Sequence, residues 1–505
     1  MSGAVDGLLG GGGWLPVLIL LTSLGVAPVI FALPERRART RAALNLAAAA
    51  LKLALVAWMS ARVAAGESFE ARLAVLPGLD LVLQADALSV LFAALSATLW
   101  LLTTIYAIGY LERGAHRSRF FGFFSLCVGA TVGIALAGNL FTFLLFYELL
   151  TLSTFPLVVH RGTSDAMRAG RIYLAHTLAG GLALLLGTLW LWTIAGTTDF
   201  VPRGVLGPVA EEHAGELRLV FALLVLGLGV KAALVPLHAW LPTAMVAPAP
   251  VSALLHAVAV VKAGAFGIVR VVYDVFGVDL AQSLGLLAPL AAAAGFTVIW
   301  GSLRALAQDD LKRRLAFSTV SQVSYITLGV ALGSPLAAVG ALAHLIHQGL
   351  MKITLFLCAG NFAEGLHVKR VSEMDGVGRL MPWTALAFTA AAIGMIGVPP
   401  LAGFVSKWHL AAGGLASGQA WVLALLLGSS LLNALYFLPI LHRIWFGAPR
   451  PGLAPARPGA AEGVGWALLA PPLATAALVL AAGLLADAPF SPLGWTRFIV
   501  SLEYL

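Results

Sequence analysis

The feature that most constrains this chain is its series of long apolar segments. A helix needs about 20 mostly apolar residues to cross a bilayer, and the chain contains fourteen such segments. They occupy residues 14–33, 42–64, 86–110, 119–137, 139–160, 168–195, 217–245, 250–273, 281–303, 309–330, 335–362, 383–410, 420–445 and 464–486. Only 11% of the 505 residues are charged, too few to cover a water-facing surface. We therefore predict an all-α polytopic membrane protein with about 14 transmembrane helices.

The basic residues between these segments predict an orientation. Twenty of the 31 Lys and Arg residues lie in alternate connections, beginning with residues 36–41, and six lie in the opposite set. Cytoplasmic connections carry an excess of Lys and Arg. We therefore expect the connection at residues 36–41 to be cytoplasmic and both termini to lie on the outer side. The net charge of +8 is thereby explained without a nucleic-acid partner.

The five remaining basic residues lie within the predicted spans, and all five are lysines. They are Lys52, Lys231, Lys262, Lys352 and Lys407. A lysine loses its proton readily when water is excluded, whereas an arginine stays charged. The use of lysine and not arginine inside the spans favours interior groups that exchange protons. Lys52 stands alone in an Ala- and Leu-rich segment, and we expect it to snorkel or to face a partner subunit.

One acidic residue, Glu148, lies well inside a span, in FLLFYELLTLSTFP. An opposite charge within about 4–6 Å would hold a lysine protonated, and separation would release the proton. Histidines accompany the lysines: His256 precedes Lys262, and His238 lies within LVPLHAWLP. The histidines in or bordering spans are His160, His176, His238, His256, His344 and His347. They predict a hydrated proton pathway, the alternative being that they are structural residues.

Two spans are interrupted by prolines, in LGVKAALVPLHAWLP and in IGVPPLAGFVSKW. Each interruption has a lysine nearby, Lys231 in the first and Lys407 in the second. Broken helices in corresponding halves are typical of transporters built from inverted repeats. The alternative is a pair of proline kinks that packing tolerates.

The stretches LFYELLTLSTFPLV, VKAALVPLHAWLPTAMVAPAPVSALLHAVAVVKAG, DDLKRRLAFSTVSQVSYI and MIGVPPLAGFVSKW resemble the antiporter-like subunits shared by respiratory complex I and Mrp-type cation/proton antiporters. The resemblance covers residues 86–445. It implies two inverted five-helix repeats, each with a broken helix, and a central line of charged residues. It also implies four parts: helices 1–3 in residues 1–115, the repeats in 116–275 and 276–446, and a C-terminal helix and tail in 447–505.

The resemblance also implies roles for individual residues. Glu148 matches the glutamate that pairs with the lysine of the first broken helix, here Lys231, and Lys262 matches the lysine that links the two half-channels. The helix carrying His344, His347 and Lys352 matches the central segment of the second half, and Lys407 matches the charge near the proposed exit. The M type of complex I subunit usually has glutamate at that last position. Little sequence follows the fourteenth segment, so we expect no long lateral helix of the L and A types, and the chain looks most like the D-type subunit of Mrp antiporters.

We therefore expect a proton-translocating subunit of a multisubunit complex in the bacterial cytoplasmic membrane, most simply a Na⁺/H⁺ antiporter of Mrp type. Its partners would be other membrane subunits, protons and Na⁺. The alternatives within the family are a complex I-like or hydrogenase complex and an inorganic-carbon uptake complex. Cys127 and Cys358 form no CxxC pair, so we expect no metal or cofactor, and any redox enzymology would belong to other subunits.

Two hypotheses from other functional classes of protein are alternatives to proton transport. A haem-binding electron-transfer protein would need histidines on facing helices, and His176, His256, His344 and His347 are the candidates. A scaffold whose charges only bind neighbouring subunits is the second. A haem protein would show a Soret band, and a scaffold would confine its charges to protein–protein seams.

Overall fold

The computed structural model describes residues 13–503, apart from residues 77, 112–113, 451–453, 455–458 and 460. Two of the twenty basic residues counted above, Arg113 and Arg457, lie outside this described set. All fourteen predicted segments coincide with helical structure. Eleven helices of the described residues are long and apolar enough to cross a membrane on their own. The all-α prediction is confirmed.

The N-terminal part contributes three spans and a hairpin. Its elements are Trp14–Leu24 (α1), Val26–Ala32 (α2), Ala38–Ala64 (α3), Phe69–Leu76 (β1), Leu79–Ala85 (β2) and Ala87–Tyr110 (α4). The strands are antiparallel, and they were not predicted from the sequence. The Asp86 side chain accepts a hydrogen bond from the backbone N–H of Ser89, which fixes the start of α4 because the first N–H groups of a helix have no partner within it.

The next five spans form the first half of the core. Their helices are Arg117–Ala135 (α5), Leu140–Val158 (α6), Ser164–Ala195 (α7), Ala214–Ala232 (α8), Trp240–Thr243 (α9), Ala249–Ala257 (α10) and Val260–Arg270 (α11). Asn139 and Thr163 cap α6 and α7 through their side-chain oxygens. The most apolar window of residues 249–276 is entirely buried within the protein.

The following five spans form the second half. Their helices are Val278–Ser283 (α12), Leu287–Leu306 (α13), Leu311–Ala331 (α14), Pro335–Leu366 (α15), Val377–Leu380 (α16), Pro382–Ile396 (α17), Ala402–Ala416 (α18) and Trp421–Phe446 (α19). The most apolar window of α15 is also entirely buried. It packs against α10, α14, α17 and α18, so its side chains face protein and not lipid.

The chain closes with Trp466–Leu484 (α20) and Pro492–Glu503 (α21). Both helices pack against α15 and α4. The indole N–H of Trp495 donates to the backbone oxygen of Ala87, at 2.9 Å, and so secures α21 over the start of α4. No apolar span predicted α21, because it is too short to cross a bilayer.

Two spans are broken, as predicted. The first runs as α8, an irregular segment at residues 233–239, and α9; it contains the cis peptide bond Val235–Pro236. The second runs as α17, an irregular segment at residues 397–401, and α18; it contains the cis bond Pro399–Pro400. Gly397 ends α17 with a φ of 94°, a conformation that costs glycine little. Irregular backbone is tolerated at membrane depth where protein surrounds it.

The prediction that only lysines occupy the spans is wrong. Arg270 is one of the six basic residues counted above in the opposite set of connections, although it falls near the end of the predicted span 250–273; it lies in the last turn of α11 with 2% of its side chain exposed. Its guanidinium lies 2.7 Å from carboxylate oxygens of both Asp86 and Asp274. Arg41 is also buried and donates to Ser118 Oγ at 2.7 Å. A permanent charge is tolerated inside when carboxylates or hydroxyls pair with it.

The expected outward position of Lys52 is also wrong. The side chain is fully buried between α1, α3 and α4. Its ammonium donates to Ser23 Oγ at 2.6 Å and lies 4.9 Å from the centroid of the Trp100 ring. A hydroxyl acceptor and an aromatic face together replace the water that a snorkelling lysine would reach.

Candidate functional site

Lys231 lies in the last turn of α8, immediately before the first break. Its ammonium donates to the backbone oxygen of Tyr147 on α6 and lies 3.3 Å from the centroid of that ring. The Tyr147 hydroxyl in turn donates to the backbone oxygen of Gly227, at 2.9 Å. The carbonyl end of a helix carries partial negative charge. The break therefore places the cation at the end of α8 that attracts it.

Glu148 follows Tyr147 on α6 and is only partly buried. Its carboxylate lies against Gly181 of α7, so closely that a methyl group added there would overlap Oε1. Oε1 is buried and has no hydrogen-bond partner in the described protein. Glu148 and Lys231 interact electrostatically, yet the described structure contains no ion pair between them within 4.0 Å. The two charges are close but separated.

Lys262 occupies the first turn of α11. Two residues further on, Gly264 packs directly on the Leu228 oxygen and the Ala232 nitrogen of α8, leaving no room for a Cβ. Lys262 is thus next to the helix end that carries Lys231. Its ammonium is buried, and no residue in the described part of the chain accepts a hydrogen bond from it.

Lys262 also faces the second half of the core. It lies within electrostatic range of three groups on α15: His344, His347 and Lys352. It is therefore the group that neighbours both the first broken helix and the central helix α15.

His256, in the last turn of α10, stacks on Phe356 of α15 with ring centroids 4.5 Å apart. Lys352 and Lys312 both lie within its electrostatic range. Lys312, in the first turn of α14, was not predicted as a site residue, because it was counted among the basic residues that fix the orientation. Its ammonium donates to the backbone oxygen of Ala247 at 2.6 Å, so it extends the polar groups around His256 towards the basic connections.

Lys352 joins α15 to α14. Its ammonium donates to Ser318 Oγ and to the backbone oxygen of Leu315, the latter at 3.2 Å. Farther along α14 lies Gln322, which has no hydrogen-bond partner for either side-chain polar atom within the described residues. Positions 318 and 322 lie one helical turn apart on the same face. The polar residues of STVSQVSY therefore mark this face of α14 in the sequence, although no role was predicted for them.

His344 connects α15 to the second broken helix. Its Nδ1 lies 2.8 Å from Ser406 Oγ on α18, and its ring stacks on Tyr325 of α14 with centroids 5.1 Å apart. One turn along α15, both ring nitrogens of His347 are buried without a protein partner in the described structure. Unpaired buried polar atoms of this kind are the sites at which proteins hold internal water.

Lys407 ends this series of groups. Its ammonium donates to the backbone oxygens of Met395 and Ile396 at 2.9 Å each, and to Ser430 Oγ at 3.1 Å. It also lies 5.5 Å from the centroid of the Tyr325 ring. In sequence Lys407 follows its break, whereas Lys231 precedes its own. Both nevertheless lie at the carbonyl end of the first half-helix of a broken span.

His238 lies apart from these groups, in the irregular segment between α8 and α9. It is partly buried, 6.2 Å from Phe317 between ring centroids, and within electrostatic range of Arg304 and His176. His176 is bonded to the backbone oxygen of Ile172 in its own helix. His238 is therefore placed between the core and the last turn of α13, which carries Arg304.

His160 lies beyond the end of α6 and against Phe120, with ring centroids 5.1 Å apart. Burial and the neighbouring Arg119 lower the pKa of His160 to about 4. It is neutral at physiological pH and lies outside the interior series of groups.

These features define a class: a polytopic membrane protein of antiporter-like architecture, with two broken helices around an interior of titratable side chains. The chain belongs to the family described as NADH:quinone oxidoreductase/Mrp antiporter, TM, which matches residues 137–433. A second family, NADH-Ubiquinone oxidoreductase (complex I), chain 5 N-terminus, matches residues 78–121. The resemblance drawn from the sequence motifs is confirmed.

The relatives come from several complexes. The N subunit of the NADH-quinone oxidoreductase of Desulforudis audaxviator is 39% identical over 75% of this chain and 76% of its own length. The D subunit of the Na⁺/H⁺ antiporter of Bacillus subtilis is 31% identical over 72% of this chain and 73% of its own length. The chain spans only 44% of a longer relative, the A/B subunit of a probable K⁺/H⁺ antiporter of Rhizobium meliloti.

Solved structures show the same fold. A chain of the Mrp complex from Dietzia sp. superposes with a TM-score of 0.83 at 25% identity, covering 98% of this chain and 97% of the other. A chain of the membrane-bound sulfane sulfur reductase, an archaeal respiratory membrane complex, gives a TM-score of 0.81 at 23% identity. Both belong to multisubunit assemblies, which agrees with the expected partnership with other membrane subunits.

Proposed function

We propose that this chain is the proton-translocating subunit of an Mrp-type Na⁺/H⁺ antiporter. The observation that carries the proposal is the series of buried titratable groups between the two broken helices, centred on Lys262. An ionisable group at mid-bilayer costs about 2.5–3.5 kcal/mol on insertion scales. Lysines and histidines without acidic contacts are retained at this cost for a role in transport, and water completes their hydrogen bonds.

Protons move in this proposal through two half-channels, one in residues 116–275 and one in residues 276–446. The separated Glu148–Lys231 pair is the gate of the first. When the carboxylate approaches, Lys231 holds its proton; when it withdraws, the proton passes to Lys262. From there His344, His347 and Lys352 lead towards Lys407, while His256 and His238 extend the hydrated path. The basic connections face the cytoplasm in this arrangement.

The second candidate function is proton pumping in a complex I-like, hydrogenase or inorganic-carbon uptake complex. The similarity to the N subunit of the Desulforudis audaxviator oxidoreductase favours it. The two candidates share the proton pathway and differ in the partners and the driving reaction.

Proton and cation transport by the native complex separates these candidates. The complex would be purified through this chain, its partners identified by mass spectrometry, and the assembly reconstituted with a pH-sensitive dye. An antiporter collapses an imposed pH gradient when Na⁺ is added. If Na⁺ and K⁺ both leave the gradient unchanged, and redox subunits co-purify, the antiporter proposal is wrong and the second candidate replaces it.

Gly181→Ala tests the gate without removing a charge. The added methyl group overlaps the Glu148 carboxylate, which is the mobile end of a side chain and turns aside at small cost in stability. We expect transport to fall on the order of tenfold, as when a positioned proton-transfer group is displaced. Initial rates of gradient collapse measure the effect.

Gly428→Ala is the matched control for this substitution. Gly428 also lies in a helix, α19, and a Cβ there meets nothing within 4 Å. This variant should transport like the wild type. Equal rates for Gly181→Ala and Gly428→Ala would show that the position of Glu148 does not control transport.

A further inference from the structure

A second series of buried polar groups lies outside the proposed proton pathway, on α3 and the helices packed against it. Three side chains of α3 are buried on one face, and each donates to or accepts from a residue on a neighbouring helix. The pairs are Arg41 with Ser118 at 2.7 Å, Asn45 with Ser125 at 3.2 Å, and Lys52 with Ser23 at 2.6 Å. We call these six residues the N-terminal ladder.

The N-terminal ladder leads from the basic surface to the middle of the membrane. Positions 41, 45 and 52 recur at helical spacing, and positions 118 and 125 lie two turns apart on α5. Arg41 lies beside the connection at residues 34–37, and its guanidinium also donates to the backbone oxygen of Glu35. At 1.5 Å per residue, Lys52 lies about 16 Å farther along the helix axis.

Helix α4 connects Lys52, at the mid-membrane end of the N-terminal ladder, with the buried titratable groups around Lys262. The Lys52 ammonium lies 4.9 Å from the Trp100 ring centroid, and Ser96 is one turn away on the same face of α4. Ser96 Oγ and Trp100 Nε1 are buried without a protein partner among the described residues.

The pairing of α4 with α11 sets the level of Ser96. Asp86, just before α4, binds Arg270 near the end of α11 at 2.7 Å, and Phe92 contacts Phe266 with ring centroids 4.8 Å apart. The two helices are therefore antiparallel. One further turn along both of them brings Ser96 to the level of Lys262.

Lys52 has the same features as the interior lysines of the proposed pathway. It is fully buried, and no acidic side chain of the described structure lies within 4.0 Å of its ammonium. Arg270, by contrast, lies 2.7 Å from the carboxylates of Asp86 and Asp274. Serine, asparagine and indole N–H groups are the partners that also bind water.

We propose that Lys52 is a second proton-exchange site, which connects the cytoplasmic surface to Lys262 through the N-terminal ladder and Ser96. The neutral amine takes a proton from water held beside Asn45 and Ser125, and the ammonium returns it to water on the far side of Trp100. This branch rests on the proposed function, because it supplies protons to the same central lysine.

Lys52→Met and Lys52→Arg, measured in the complete complex, test the branch. Methionine cannot exchange a proton, and we expect the initial transport rate to fall on the order of tenfold or more. Arginine keeps the charge but does not release its proton, so it should be as slow as methionine. Leu51→Met on the exposed side of α3 is the matched control and should transport normally.

Each outcome separates the branch from the proposed function. If the wild-type complex moves no protons, the proposed function fails. If the wild type is active and Lys52→Met equals it, only the branch is wrong. Full activity of Lys52→Arg would show that Lys52 is a fixed structural cation, and this too overturns the branch.

A substitution nearer the basic surface, at Asn45, tests the branch if the complex with Lys52→Met does not assemble. Asn45→Leu leaves Lys52 in place and removes the polar side chain between it and the basic surface. Rates on the order of tenfold slower, with normal co-purification of partner subunits, support the branch. A wild-type rate in assembled Asn45→Leu contradicts it.

Discussion

Replacing Lys231 with alanine should abolish proton transport while the complex still assembles. The ammonium lies at the carbonyl end of α8, within electrostatic range of Glu148 and next to the helix that carries Lys262. Its removal takes away the cation that the proposed gate needs. Loss of a positioned proton-transfer group typically slows a reaction about 10²–10⁴-fold. The initial rate of gradient collapse on addition of Na⁺, in inverted vesicles, would measure the loss.

The matched control is Lys369→Ala. Lys369 is an exposed lysine in a connection, and its backbone groups, not its ammonium, make the hydrogen bonds found for it. Both variants lose one lysine, but only Lys231→Ala should lose transport. Glu148→Ala should resemble Lys231→Ala, because the gate needs both charges. Normal transport by assembled Lys231→Ala would favour the reading of this chain as a scaffold whose charges only bind neighbours.

The spans and their breaks were predictable because the bilayer limits what a sequence can do. Every backbone polar group must be satisfied inside the membrane, so hydropathy alone located all fourteen segments. The prolines in VPLH and VPPL marked the two interruptions for the same reason. The local sequence was therefore sufficient to predict the spans and their breaks.

Contacts between distant helices were not predictable in this way. Arg270 binds Asp86, which is 184 residues away in the chain, and Lys52 binds Ser23 on a different helix. Nothing in the sequence around Asp86 or Ser23 identifies either residue as the partner of a buried cation. The position of a residue within one predicted span therefore showed that a charge is buried in the membrane. It could not show whether that charge faces lipid, protein or a carboxylate.

The hairpin formed by β1 and β2 was missed for a related reason. Residues 69–73 alternate apolar and polar side chains, in FEARL, but this alternation is short and residues 73–76 are all apolar. Arg72 of β1 binds Asp80 on the partner strand and Asp199 beyond α7, at 3.1 and 3.0 Å. Charge that marks orientation also holds the outer connections together.

Replacing Arg270 with methionine should strongly destabilise the protein. The substitution leaves Asp274, which is 2% exposed, and Asp86 without their buried cation. Breaking a buried pair by removing one partner typically costs about 3–5 kcal/mol, because the other charge stays in a low-dielectric site. The yield of assembled complex and its thermal unfolding midpoint in detergent should both fall. Arg313→Met, at an exposed position of α14, should change neither.

A second substitution separates charge burial from lost packing. In Arg270→Met/Asp274→Leu the most buried carboxylate is gone, and the apolar side chains contact Phe200 and Phe266, which the guanidinium faces at 5.3 Å in the wild type. Replacing a buried ion pair by apolar residues is often neutral or stabilising, so the unfolding midpoint should recover most of the loss. If the double variant is as unstable as Arg270→Met, the guanidinium acts through its packing and not through its charge. Recovery would instead show that this arginine is tolerated inside the membrane because of its carboxylates, in contrast to the interior lysines, which have no such contact.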